Sequence, residues 1–575
     1  MDKKFKIIIN GKKYWAKSDQ TVLEISKQNK VEIPALCYHP DLKPGESCRL
    51  CLVKRKNEER LLTACSLKAE PKMEIITDSP EIKRARQINL ELLLAQHLKE
   101  CNDCVWYSDC QLLNLADKFK IKINRFPDRK KAYPVYQFGP INFESSKCID
   151  CRNCVEICRN EGVGYLELQE RGVDIKVIPS RDKKKDCIYC GQCITHCPSG
   201  SFEAAGEFEG VEKPFTDKSK TVVVQFAPSI RTSIGEGFNL PAGTSITDKL
   251  VAGIKKLGVK NVFDVSVGAD FTTVEEAGEL INALDGKRKL PMFTSCCPAW
   301  VKFVEFYFPE FIPNLTTVRS PHIIMGGLIK TYWAERQKID RKNIVVVSIM
   351  PCVAKKYEIT RDELRIKGLR PVDYVLTTRE LTYLFKIKKI DLKKIKPAKL
   401  NTSLGFSSGA GVIYGATGGV MESALRTAVE KMGVRTANKI EFKQVRGMAG
   451  IKETKIKIGH RILKIAVING TGGARKVLEL LKKNPKLYDY LEVMACPAGC
   501  VGGGGQPIPV DAEIRKSRAE GLYRIDSRKN LRLAHQNPVV KKIYREFLNN
   551  KENIHSVCHT GFSGKKKGLI KIFAK

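Results

Sequence analysis

No apolar run in the 575 residues approaches the roughly 18 that a membrane helix needs. The best candidates, such as IVVVSIM from Ile344 to Met350, have the length of a buried strand. The N-terminus, MDKKFKIIINGKKYW, holds a four-residue apolar core between lysines, short of a signal peptide's, and no twin arginine stands there. The expected location is the cytoplasm, with no membrane partner. Acidic residues are scarce: 63 Asp plus Glu face 100 Lys plus Arg, a formal charge of +37. Such an excess usually attracts a nucleic acid, an anionic membrane face or an acidic protein. No nucleic-acid recognition motif accompanies it, so no nucleic acid is expected. GATGGV, Gly415 to Val420, lacks the GKS or GKT ending of a phosphate loop and is read as packing.

Cysteine, by contrast, is abundant, with 21 residues. In a reducing cytosol so many are not expected as disulfides, and their spacing points to metal. Bound thiolates would also make the chain less positive than the formal count. Cys148, Cys151, Cys154, Cys158 and Cys187, Cys190, Cys193, Cys197 each read C-x2-C-x2-C-x3-C. Three thiolates on one tight loop suit three corners of a cubane, and the fourth ligates the other cluster. On that rule Cys148, Cys151, Cys154 and Cys197 hold one 4Fe-4S cluster, and Cys187, Cys190, Cys193 and Cys158 the other. Zinc ribbons are the bland alternative. Pro198 follows the second run, whereas Arg159 stands after the first.

Cys37-x10-Cys48-x2-Cys51-x13-Cys65 resembles the plant-type 2Fe-2S pattern with a longer first gap, against a tetrahedral zinc site as the alternative. His97, Cys101, Cys104 and Cys110 divide evenly by spacing between structural zinc and a 4Fe-4S cluster with one imidazole ligand. Their position between two ferredoxin-like segments favours the cluster.

Period-2 alternation around one helical stretch, TVLEISKQNK, predicts a small mixed sheet over the first 75 residues. From about Thr221, apolar strands (TVVVQFAP, NVFDVSV, NIVVVSIMP, ILKIAVING) alternate with helical segments, which predicts an α/β domain of mainly parallel sheets with functional loops at the strands' carboxyl ends. The expected architecture is multidomain α/β: ferredoxin-like iron-sulfur domains over 1–80, 81–127 and 138–210, then a large α/β catalytic domain over 218–575. The basic stretch from about Gln536 and the leftover Cys558 receive no chemistry.

Three peptides form the last cysteine group: TSCCPAW (Thr294 to Trp300), MPCVAKKYE (Met350 to Glu358) and EVMACPAGCVGGGGQP (Glu492 to Pro507). Each abuts an apolar strand-like run, so all three are expected on one edge of the α/β domain. Together they resemble the signatures of the iron-only (FeFe) hydrogenases, and the resemblance covers the whole chain, including the order of cluster groups found in the large monomeric type with four accessory clusters.

That resemblance implies an H-cluster: a 4Fe-4S cluster on Cys297, Cys352, Cys496 and Cys500, bridged through the Cys500 sulfur to a diiron subsite with CO, CN and a dithiolate. It implies that Lys355, held by Glu358, and the pair Pro228 and Ser229 contact the cyanides, while Met350 and Met494 pack against the diiron unit and keep water out. It further implies a proton relay of Cys296, Glu276, Thr316 and Glu279. Thr273 and Glu276 also show capping-box spacing, an alternative structural role for that glutamate. The family commonly has serine where Thr316 stands and an exit arginine where Ala283 stands. The implied cofactors are one 2Fe-2S cluster, three accessory 4Fe-4S clusters and the H-cluster. The implied activity is reversible reduction of protons to H2 with a small acidic ferredoxin as electron partner and maturation proteins as inserters of the diiron unit. The rivals are a subunit of a multimeric electron-bifurcating hydrogenase and a non-catalytic iron-sulfur relative. The four glycines Gly502 to Gly505 are expected to give backbone close access to the cluster.

Overall fold

The computed structural model describes residues 4–97, 110–121, 126, 134–206, 208–433, 446, 450–458 and 461–573. At the N-terminus, Phe5–Ile9 turns through Asn10 and Gly11, both at positive φ, into antiparallel Lys12–Ala16. Parallel pairing with Glu74–Ile76, then Leu52–Arg55 and Leu61–Thr63, completes the five-stranded mixed sheet. Its one helix, Val22–Gln28, starts at a capping box in which Thr21 and Glu24 satisfy each other's backbone amides.

The helices Pro80–Gln96 and Gln111–Lys118 lead to a second unit with the helices Asn153–Asn160 and Gln192–Thr195. Its sheet runs Phe202–Ala204, Ile141–Glu144, Val135–Phe138 and then Ile570–Phe573. The last strand comes from the chain's far end, so the basic C-terminal stretch closes the edge of this sheet.

Two four-stranded sheets build the large domain. In one, Asn261–Asp264, Thr221–Phe226, Ile344–Met350 and Tyr374–Thr377 are all parallel. In the other, Met292–Phe293, Tyr490–Met494 and Arg461–Asn469 are parallel and Ile451–Ile458 adds antiparallel at the edge. Strands buried on both faces need side chains apolar on both, which is why TVVVQF and IVVVSIM do not alternate. Gln225 and Ser348 interrupt the runs: the Gln225 side-chain amide donates to the Ser348 hydroxyl at 2.5 Å and to the His322 carbonyl at 2.9 Å.

The apolar run NVFDVSV does not continue as a strand beyond Asp264. There the Asp264 carboxylate accepts from the Ser266 amide and caps the 20-residue helix Val265–Leu284. Thr273 consequently lies inside that helix, donating back to the Ala269 carbonyl, and does not cap it. The capping alternative for Glu276 is thereby removed.

Candidate active site

Four strands, two from each sheet, end at one place. Thr221–Phe226 delivers Pro228 and Ser229; Ile344–Met350 delivers Met350 and Cys352; Met292–Phe293 delivers Cys296 and Cys297; Tyr490–Met494 delivers Met494 and Cys496. All of these, with Lys355 and Cys500, line a cavity of about 700 Å³. Parallel pairing puts the carboxyl ends of each pair on one edge of its sheet, and the packing of the two sheets brings those edges together.

The run of four glycines owes its composition to packing as well as to this cavity. A Cβ on Gly502 would lie 2.1 Å from the Pro497 carbonyl oxygen, on Gly503 2.2 Å from that of Pro351, and on Gly504 2.6 Å from the Gly191 Cα. The obstruction a side chain would meet there is neighbouring backbone, and only Gly503 of the four lines the cavity. Gly415, from GATGGV, lines it too, while the amides of Gly418 and Met421 are taken by the buried Glu492 carboxylate at 2.6 and 2.7 Å. A carboxylate thus stands where a phosphate loop would hold its anion.

Lys355 donates to the Glu358 carboxylate at 2.7 Å and to the Cys296 carbonyl at 3.1 Å. Burial opposes its charge, but Glu358 and then Cys352 outweigh that and raise its pKa. Glu358, despite its burial, is held at about 2 by Lys355 and His322. His322, whose Nε2 is 2.6 Å from Glu358, is a cavity residue that no local sequence signal marks. The Ser229 hydroxyl oxygen is buried without a hydrogen-bond partner in the protein.

These features test what the cavity accepts. Four sulfurs from three loops suit a soft metal cluster. A buried ammonium and an unpartnered hydroxyl suit a periphery of anionic or acceptor atoms, and Met350 and Met494 line the wall with no competing donor. A sulfur-ligated iron group with acceptor ligands fits.

Cys296 and Cys500 are only half-buried because their sulfurs open into the cavity. Burial, then Glu276 and Cys297, push the Cys296 thiol well up, so it keeps its proton. Glu276, fully buried, accepts from the Tyr490 hydroxyl at 2.5 Å, and its other oxygen has no partner. Burial raises it to about 8. Thr316 is paired with Ser295, hydroxyl to hydroxyl at 2.7 Å. The hydroxyl on Glu279 is that of Thr317, whose amide donates to the same carboxylate at 3.2 Å, and the Arg288 guanidinium bonds its other oxygen. Ala283 is buried and adds no charge, so the arginine at Glu279 arrives from the loop after the helix.

The other cysteine groups lead towards this cavity. In the second unit both loops repeat one backbone pattern, with positive φ at Asp150 and Arg152 and again at Tyr189 and Gly191. This turns the Asp150 amide onto the Cys148 sulfur at 3.3 Å and the Tyr189 amide onto that of Cys187 at 3.4 Å. Charge effects cross between the motifs: Cys197 is the first of the other thiols acting on Cys151, and Cys158 on Cys187. The Cys190 carbonyl lies 3.7 Å from the Cys496 sulfur, joining that loop to the cavity wall. Cys37 faces Cys48 and Cys51 faces Cys65 in the N-terminal sheet unit. His97 ends its helix with Nδ1 2.9 Å from the Lys147 carbonyl, which puts the ring's lone pair on Nε2, the tautomer of a metal ligand. Cys110 opens the helix Gln111–Lys118. Cys101 and Cys104 lie outside the described residues.

Comparison with known proteins bears on the same segments. The family profile "Iron only hydrogenase large subunit, C-terminal domain" matches residues 220–504, and "Iron hydrogenase small subunit" matches 512–565. A "2Fe-2S iron-sulfur cluster binding domain" matches 2–80 and a "4Fe-4S dicluster domain" 147–201. The chain is 38% identical to the NADP-reducing hydrogenase subunit HndD of Solidesulfovibrio fructosivorans, over 97% of its own length and 98% of that protein. It is 36% identical to iron hydrogenase 1 of Clostridium pasteurianum, over 96% and 99%. A solved variant of the [FeFe]-hydrogenase HydA1 from Chlamydomonas reinhardtii superposes with a TM-score of 0.57 at 35% identity, covering 62% of this chain and 99% of that one. Likeness that runs the length of the chain leaves one assignment: the protein belongs to the iron-only hydrogenases.

Proposed function

We propose that the chain is a ferredoxin hydrogenase that interconverts two protons and two electrons with H2 and works in the cytoplasm. The observation that carries this reading is one cavity edged by Cys297, Cys352, Cys496 and Cys500, by the Lys355 ammonium paired with Glu358 and by Cys296. The four cysteines would hold the 4Fe-4S part of the H-cluster, and Cys500 would also hold a diiron unit inserted by maturation proteins. Lys355 and Ser229 would give hydrogen bonds to its ligands. Once bound, the group supplies the redox site where protons and electrons become H2.

The protein's own part is supply and exclusion. Pro228, Met350 and Met494 keep water from the cavity. Cys296 offers its thiol proton inside the cavity and is recharged from Glu276, whose pKa of about 8 suits a group that gives and takes a proton near neutrality. Thr316 and Glu279 continue the relay outward, with Ser295 and Thr317 as additional hydroxyls. Cys37, Cys48, Cys51 and Cys65 would hold one 2Fe-2S cluster, His97, Cys101, Cys104 and Cys110 a 4Fe-4S cluster and the two crossed motifs two more, groups that would supply electron transfer with an acidic ferredoxin; the Cys190 carbonyl lies beside Cys496.

Infrared spectroscopy of matured protein tests the site: bands of metal-bound carbon monoxide and cyanide are expected, and their absence after maturation would refute the assignment. A second reading, a catalytic subunit of a multimeric, nucleotide-coupled hydrogenase, draws support from the full-length likeness to HndD. Native-source protein that elutes as a large complex and reduces NADP+ would favour it; a monomer served by ferredoxin alone favours the first.

A further inference from the structure

Glu279 is where the proposed relay nears the surface, and its contacts raise a specific problem. Arg288 bonds it from one side, yet a guanidinium cannot release a proton at any physiological pH. Thr317 bonds it from the other side, and a hydroxyl only passes on what a further group supplies. On the far side of Thr317, among the described residues, stands His559, which follows the helix Lys551–Cys558. Its Nδ1 is 2.8 Å from the Thr317 hydroxyl and 3.5 Å from the Glu279 carboxylate, while its Nε2 is 3.0 Å from Glu275. Glu275 lies one turn before Glu279 on the same helix, and both it and the imidazole are partly open to solvent.

We propose that His559 carries protons between the partly exposed Glu275 and Glu279, forming the outer end of the proton route. The inference rests on the relay reading given above. In the inward direction the O–H bond of protonated Glu275 breaks as an N–H bond forms at Nε2. The Nδ1–H bond then breaks, its proton passing to Glu279 directly or through the Thr317 hydroxyl. The ring returns to neutrality protonated at Nε2, and exchange with water, which takes that proton and returns one to Nδ1, restores the starting tautomer. No electron moves, and Glu275 takes its next proton from water.

The charged surroundings fit a ring that binds protons well. Burial works against the imidazolium, but Glu275 and Glu279 outweigh it and raise His559 to about 9. The Arg319 guanidinium donates to the His559 carbonyl and not to the ring. Arg288 is spent on Glu279 and the Leu315 carbonyl. The Tyr544 hydroxyl bonds Glu275, Lys431 acts on Glu275 from the helix Gly419–Lys431, and the His555 ring stacks 6.4 Å away.

The test uses full-length loaded protein. His559→Gln, which keeps hydrogen bonding but cannot carry charge, is expected to lower turnover by about tenfold or more and to remove the alkaline limb of the pH profile near 9. Added imidazole should restore part of the turnover of His559→Ala, and His555→Gln should behave as the parent. In ¹³C-histidine NMR, the resonance lost in His559→Gln should titrate near 9 and move to lower pH in Glu275→Gln. If His559→Gln does not accumulate, Glu275→Gln carries the same kinetic expectation. Full turnover with an unchanged pH profile in these variants, or a loss that imidazole does not relieve, would overturn the role of His559. Glu279→Gln separates the two levels: if it abolishes turnover while His559→Gln does not, only the outer step is wrong. If Glu279→Gln is itself fully active, the relay reading has failed.

Discussion

Cys296 and Cys297 adjoin in sequence, yet the structure gives them different surroundings. Both line the cavity, but Cys297 stands directly before the helix Pro298–Tyr307, while Cys296 has Glu276 as the first charge acting on it. Cys296→Ser should keep the infrared bands, because no ligand is lost, and lose most turnover, because a hydroxyl is a far weaker acid than a thiol; hydrogen evolution assays check this, and undiminished activity would remove Cys296 from the relay. Glu276 allows a thermodynamic test. Its carboxyl is held at about 8 in the folded protein against 4.5 for a solvated glutamate. A pKa raised by folding contributes stability that is full below 4.5 and is lost as pH rises through 8. Glu276→Gln should therefore flatten part of the decline in melting temperature between pH 4.5 and about 8 while abolishing most turnover.

At the scale of elements, the strand-to-loop transitions decide the chemistry. CVGGGGQP is glycine-rich because three backbones approach it, those of Pro497, Pro351 and Gly191. Gly504→Ala places a Cβ against Gly191, which follows Cys190, and should cost about 1–3 kcal/mol of stability as overpacking does. Because the same contact joins the last accessory loop to the catalytic domain, reduction by ferredoxin should slow more than H2 oxidation with a small dye; equal effects on both would show that the contact only packs. The three cysteine peptides and the strands before them were legible in the sequence, since parallel buried strands announce themselves as unbroken apolar runs. The start of the helix at Val265 was not, because VSV reads as strand and only the Asp264 cap, set by its bond to Ser266, ends it.

On the scale of the whole molecule, the domains are tied by a few specific bonds. Arg515 in the catalytic domain grips Asp41 of the N-terminal unit at 2.6 and 2.8 Å, and the strand Ile570–Phe573 completes the sheet of the second unit. The formal charge of +37 is a property of this whole surface. With a Debye length of about 10 Å at 0.1 M salt, steering of an acidic carrier should fade as salt rises. The KM for ferredoxin is expected to increase severalfold between low and high ionic strength while dye-linked activity holds; a salt-independent KM would exclude steering.

Spacing along the chain was enough to group the cysteines and to mark the three peptides, because metal ligands on one loop must be neighbours in sequence and buried parallel strands must be apolar. What only the tertiary structure decided are contacts between residues far apart in sequence. Tyr490 on Glu276, His322 on Glu358, Thr317 and Arg288 on Glu279, and His559 between Glu275 and Glu279 have no local signature. Hydrogen bonds and charge act across a few ångströms of space, and that proximity exists only once the two sheets and the C-terminal helices have packed.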